Sequence, residues 1–141
     1  MKRLLKTIII IIGVIVVLLI GAYLYIRFMP EKSVNNINPD YTLTVSSLAS
    51  EYESAPDASD KKYIDRVVEV SGTISEITTD QNSSTVFILR NNENQTGVLC
   101  TLAESETQKA KHYKTGDQAT IKGTCTGMLF EVVLNKCVII K

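Results

Sequence analysis

The chain has 141 residues, 45% of them hydrophobic, with 15 Lys and Arg against 15 Asp and Glu, one His, three Cys and no Trp. That length leaves room for one small folded unit beside a membrane segment and excludes a multidomain enzyme. The charge is unevenly divided: Lys2, Arg3, Lys6 and Arg27 precede Pro30 with no acid among them, so the remainder carries 11 cations against 15 anions, a net −4 that repels phosphate backbones and disfavours nucleic acid as a partner.

From Ile8 to Ile26 all 19 residues are apolar, Gly, Ala or Tyr. As a helix they extend about 28 Å, enough to span a bilayer. Lys2, Arg3 and Lys6 lie just before the span, whereas Arg27 and Lys32 after it are offset in part by Glu31. The positive-inside rule therefore predicts a single-pass signal anchor over 1–28 in the inner (cytoplasmic) membrane. Its N-terminus is in the cytoplasm and the folded domain is periplasmic or extracellular, with Tyr23, Tyr25 and Phe28 at the outer interface. A cleaved signal peptide would have a shorter apolar core and a small-x-small site, which Ile20-x-Ala22 and Ala22-x-Leu24 do not provide.

Residues 29–43, with Pro30, Pro39 and three asparagines, read as an exposed linker, which places the folded domain at 44–141. Thr44 can cap a helix in which Val45, Leu48, Ala49 and Tyr52 share one face, either against the chain's own core or as a partner-binding stripe. Ala55 and Pro56 end it, and Asp57 opens a second short helix through Tyr63.

Five strands follow. The first, Arg66–Ile77, alternates through Val68, Val70, Gly72 and Ile74 and slips by one before Ile77, which predicts a bulge where it passes around a closed sheet. A polar loop at 78–84 leads to the second strand, Thr85–Leu89, and an Asn-rich turn at 91–97 to the third, Val98–Leu102. Ser105 and Gln108 suit a capping box opening a helix to about His112, closed by Gly116. In the fourth strand Ala119, Ile121, Gly123 and Cys125 alternate with polar residues, Gly127-Met128 is read as a two-residue hairpin turn, and the fifth strand runs to Ile140. A mainly β chain with this order, an N-terminal helix and a helix between strands three and four, is expected to be a five-stranded OB-fold barrel behind one transmembrane helix.

In an OB-fold the face of strands two and three binds ligands between the loops joining strands one to two and four to five. With Val86 and Ile88 taken as inward, the candidate face is Phe87, Leu89, Arg90 and Thr101, and a Gly127-Met128 turn is too short to act as a clamp. One aromatic on these strands and no basic groove make a poor single-strand nucleic-acid platform. Of the cysteines, Cys100 and Cys137 fall on strands that neighbour each other in such a barrel and are the possible disulfide, the alternative being buried free thiols. His112 has no metal-spaced companions, and Lys109, Lys111 and Lys114 are interspersed with Glu104, Glu106 and Asp117 as on a solvated face. No catalytic residues, metal or cofactor are expected.

Tyr63-x-x-Arg66-Val67-Val68-Glu69-Val70-Ser71-Gly72-Thr73-Ile74, Gly116-Asp117-x-x-x-Ile121-Lys122-Gly123-x-Cys125-x-Gly127 and Val132-x-Leu134-x-x-Cys137 together resemble the membrane-anchored tRNA-anticodon-binding-like OB-fold family of Bacteroidota and relatives. The resemblance covers roughly 45–140. It implies an OB-fold behind a membrane anchor or signal and brings no catalytic residues. The expected function is a non-enzymatic, membrane-tethered binding or adaptor module of the cell envelope with a protein, peptide or glycan partner; the alternative is a nucleic-acid-binding OB-fold.

Overall fold

Isoleucine, valine and leucine, with no charged residue between Lys6 and Arg27, build the first helix, α1 (Lys2–Arg27), in the computed structural model, which describes residues 1–28, 34–92 and 95–141. Its stretch Leu4–Arg27 is 24 residues long with a mean hydropathy of 3.0 and no burial against protein, enough to cross a membrane, as either an anchor or a signal sequence does. The chain divides into two compact units, Met1–Lys32 and Ser33–Lys141.

The second unit begins before Thr44. Of the expected linker, residues 29–33 lie outside the described residues, but 34–43 are folded onto the domain. Val34, in a 3₁₀ turn (Val34–Asn36), is buried with Val67 and Val138. Lys122, itself only 6% exposed, donates to the carbonyls of Asn35 at 3.0 Å and Ile37 at 2.8 Å. Asp40 exchanges two hydrogen bonds with the Val67 backbone, and Tyr41–Thr44 forms strand β1. Asn and Pro here serve a tight, hydrogen-bonded strap.

Thr44 caps α2 (Val45–Ser54) by accepting the Ser47 N–H at 3.2 Å. Val45, Leu48, Ala49 and Tyr52 are all buried, so the stripe covers the chain's own core, each large side chain contributing roughly 1.5–3 kcal/mol. Pro56, which fits a first helical turn, then opens α3 (Pro56–Tyr63).

Strands β2 (Val67–Thr79), β3 (Thr85–Arg90), β4 (Val98–Leu102), β5 (Gln118–Met128) and β6 (Val132–Ile139) close a five-stranded barrel in the order β2-β3-β4-β6-β5-β2, with β1 parallel to the first half of β2. The pairing of β4 with β6 is parallel and the others are antiparallel, so the barrel is mixed. The register of β2 on β3 shifts between Ile74 and Glu76, the bulge that the slipped alternation predicts. Thirteen residues thereby serve two neighbours: the first half of β2 pairs with β5 and the second with β3.

Between β4 and β5 the expected capping box does not form. Ser105 lies inside a 3₁₀ turn (Glu104–Glu106) that leads into a single helical turn, α4 (Thr107–Ala110), with Lys111 and His112 beyond it. The connection is pinned instead by Glu106, 4% exposed, whose carboxylate accepts the Ile139 N–H at 3.1 Å and the Lys109 ammonium at 3.0 Å. A buried carboxylate that captures a backbone donor outweighs a surface cap.

The β5–β6 hairpin also differs from its expected turn. Gly127 has φ +103° and occupies a bulge between Cys125 and Met128, where its open face meets Asp60 of α3 and Ile64 just beyond it. The chain reverses later, at Leu129–Glu131, with the Leu129 N–H donating to the Glu131 carbonyl. Cys125 consequently stands opposite Leu134 rather than Phe130.

Candidate binding face

Strand β3 reads Val86-Phe87-Ile88-Leu89, four apolar residues in a row, so alternation does not reveal which of them face inward. In the barrel Phe87 and Leu89 are fully buried in the main core, and Phe87 meets Tyr113 with ring centroids 5.9 Å apart. They therefore leave the candidate face that contained them. Ile88 is the half-exposed residue, while Val86 is covered as well. The other two expected members, Arg90 and Thr101, remain accessible on β3 and β4.

Pairing assembles the actual outer face. Ile88 stands opposite Leu99 and Leu99 opposite Val133, which makes a cross-strand row of three half-buried apolar side chains over β3, β4 and β6. The late reversal of the β5–β6 hairpin places Leu129, 84% exposed, and Phe130, 95% exposed, at the end of that row. A groove of about 290 Å³ runs between them, lined by Leu99, Val133, Leu129, Phe130, Arg90 and Glu131. The loop expected to be too short to act as a clamp thus carries the two most exposed side chains lining the groove.

Arg90 and Glu131 form an ion pair at the rim, with Arg90 Nε 3.0 Å from Glu131 Oε1. Hydrogen bonding to Glu131 holds the Arg90 guanidinium above its usual range, with the Glu131 charge adding to it and Glu76 contributing less. The Arg90 side chain is 49% exposed and that of Glu131 13% exposed, so the pair is a steering and register feature with little stabilising energy. Glu76 stands opposite Ile88 at the β2 end of the row, and among the described residues lining the groove the only aromatic ring is Phe130.

The buried thiols lie on the other side of the sheet. Cys100, Cys125 and Cys137 are free and fully buried. Cys137 stands opposite Leu102, with Cys100 two residues back along β4, and the two thiols interact. Cys125 is engaged elsewhere, with its sulfur 3.5 Å from the Tyr52 hydroxyl. Burial raises the Cys137 pKa well above the ordinary thiol range, with Cys100 adding to the effect, and raises Tyr52 for the same first reason, with Cys125 second. Neither group is poised as a nucleophile. His112 is exposed, and among the described residues no three His, Cys, Asp or Glu side chains converge on a metal position.

Leu99, Val133 and the Leu129-Phe130 tip were not picked out from the sequence. The signal for the tip was present: two large apolar residues follow Gly127-Met128 directly, and a turn placed on them would have exposed both.

Among solved structures the chain is similar to a "putative nucleic acid-binding lipoprotein" of Klebsiella pneumoniae, with 19% identity, a TM-score of 0.59, and coverage of 71% of this chain and 91% of that one. It also matches the Stn1-Ten1 complex of Schizosaccharomyces pombe at 14% identity and TM-score 0.43, covering 53% of this chain and 58% of that one. A third match is to an aspartyl-tRNA synthetase of Leishmania major, likewise described as putative, at 12% identity and TM-score 0.48, covering 78% of this chain and 22% of that one. The first of these supports the fold. No curated protein matches the chain. The tRNA_anti-like family matches residues 1–139, and the closed barrel with its helix between the third and fourth barrel strands is the OB-fold that the resemblance in the sequence implied: the chain belongs to the tRNA_anti-like family.

Proposed function

We propose that the protein is a non-enzymatic OB-fold binding module, held at the inner membrane by α1 with its folded domain on the periplasmic or extracellular side, that takes a protein or peptide segment on the outer face of β3, β4 and β6. The observation that carries this reading is the apolar row Ile88–Leu99–Val133, continued by Leu129 and Phe130 at 84% and 95% exposure. Large side chains left in water at one end of a row already half exposed mark an interaction surface. The row coincides with the face that OB-folds use, between the loops that grip ligands.

The same observations weigh against nucleic acid as the ligand. Base stacking needs several aromatic rings over a basic groove, and this face offers one ring and a guanidinium already paired with a carboxylate. The description of the Klebsiella lipoprotein keeps nucleic acid as the competitor to be tested. Full-length protein carrying a photo-reactive phenylalanine analogue at position 130 is irradiated in cells, with the analogue at Lys61 on α3 as control. Protein-containing adducts at 130 and not at 61 are expected. Nucleic-acid adducts at 130, or the same adducts from both positions, would sink the reading.

A further inference from the structure

We infer that the occupant of the groove at the hairpin tip is the Phe130 side chain of a second copy of this chain, so that the outer face is a two-fold self-association surface. The inference rests on the proposed function and names its partner. A two-fold interface joins the same patch on both copies, so the patch must contain both halves of every contact. This one does. Phe130 stands out, 95% exposed, from the rim of a 290 Å³ groove whose floor is Leu99 and Val133. The exposed ring and the apolar groove beside it are neighbours on one surface.

The charges are self-complementary too. The same groove is lined by one cation, Arg90, and one anion, Glu131, that already pair within the copy. A two-fold operation that seats Phe130 over Leu99 and Val133 brings each Arg90 toward the Glu131 of the other copy. Four charges of alternating sign then replace two isolated pairs, which fixes the register of the two copies. A foreign partner has to supply both an apolar anchor and a matched pair of charges; a second copy carries them by construction. The patch is small, so the association is weak in free solution. Confinement of both copies to one membrane by α1 raises their effective concentration and offsets that weakness.

The test uses the full-length protein in its membrane. With the photo-reactive analogue at position 130, irradiation should give a covalent dimer whose cross-link maps to the peptide containing Leu99 or Val133 of the second copy. Since Phe130 is exposed, the analogue leaves the core intact. Charge reversal supplies an independent readout. R90E alone and E131R alone each place like charges across the two-fold and should lower the dimer yield about tenfold, whereas the two variants co-expressed should cross-link to each other at several times the yield of either alone. Adducts with a different protein, or mixed R90E and E131R copies that fail to pair, overturn the self-association and leave the outer face as a binding site. Absence of any protein adduct at 130 overturns both.

Discussion

Gly123 is the residue on which the packing of β5 against β6 turns. A Cβ there would run into Cys137 Sγ and approach Asn135 O to 3.1 Å and Leu134 Cβ to 3.3 Å. Gly123→Ala is therefore expected to cost about 1–3 kcal/mol in urea unfolding, the range for overpacking. Cys137→Ala in the same chain should return part of that loss, a coupling that a double-mutant cycle measures; strictly additive losses would show that the sulfur is not the obstacle. Cys137 has a second consequence. Its folded pKa lies above the unfolded value of about 8.5, so above that pH the unfolded chain loses a proton that the folded chain keeps. The stability is fully present below about pH 8.5 and falls as pH rises toward the folded pKa. The urea midpoint should decline from pH 8 to 10 and decline less in Cys137→Ala; an unchanged slope would assign the effect to other groups, Tyr52 first. On deliberate oxidation of the thiols, a bridge between Cys100 and Cys137 is the expected product, because Cys137 interacts with Cys100 whereas Cys125 is held by Tyr52. Peptide mapping without reductant would reveal it, and a bridge containing Cys125 would contradict the pairing.

At the scale of elements, the strap at 34–43 turns a composition argument into a measurable one. Lys122 loses water to reach two carbonyls of the strap, and Val34 covers Val67 and Val138. A chain starting at Thr44 loses those two hydrogen bonds, the Val34 cover and the pairing of β1 with β2, and it should unfold at least about 2 kcal/mol more easily than one starting at Val34. Equal thermal midpoints for the two chains would show the strap to be a passive linker. Much of the rest was legible beforehand. The stripe Val45, Leu48, Ala49 and Tyr52, its Thr44 cap and the bulge in β2 follow from local periodicity and capping, and the succession of barrel strands along the chain follows from alternation and turn residues. The misses share a physical origin. Inward and outward positions of β3 are set by the closure of the barrel, since four consecutive apolar residues satisfy either choice. The hairpin turn moved because Gly127 is claimed by α3, a contact distant in sequence. Strand β1 is only four residues long and is ordered by pairing with β2. The candidate face inherited these errors directly: Phe87 and Leu89 were turned outward, where the barrel buries both and leaves Ile88 and Leu99 half-exposed.

For the whole molecule, the charge split and α1 make one prediction about where the barrel works. Cations dominate the residues before the apolar run, and the domain beyond it is net acidic. Translocation then favours retention of the N-terminal side in the cytoplasm and export of the barrel. A C-terminal alkaline phosphatase fusion, active only after export, should be active and remain with the membrane fraction. An active fusion released into the soluble fraction would identify α1 as a cleaved signal sequence and remove the membrane confinement on which weak self-association depends. An inactive fusion would leave the barrel in the cytoplasm, where nucleic acid is abundant. There the face would still lack a basic groove, so salt-insensitive binding of protein would remain the expectation, and salt-sensitive binding of RNA or DNA would show that cations elsewhere on the barrel form a surface that this face does not.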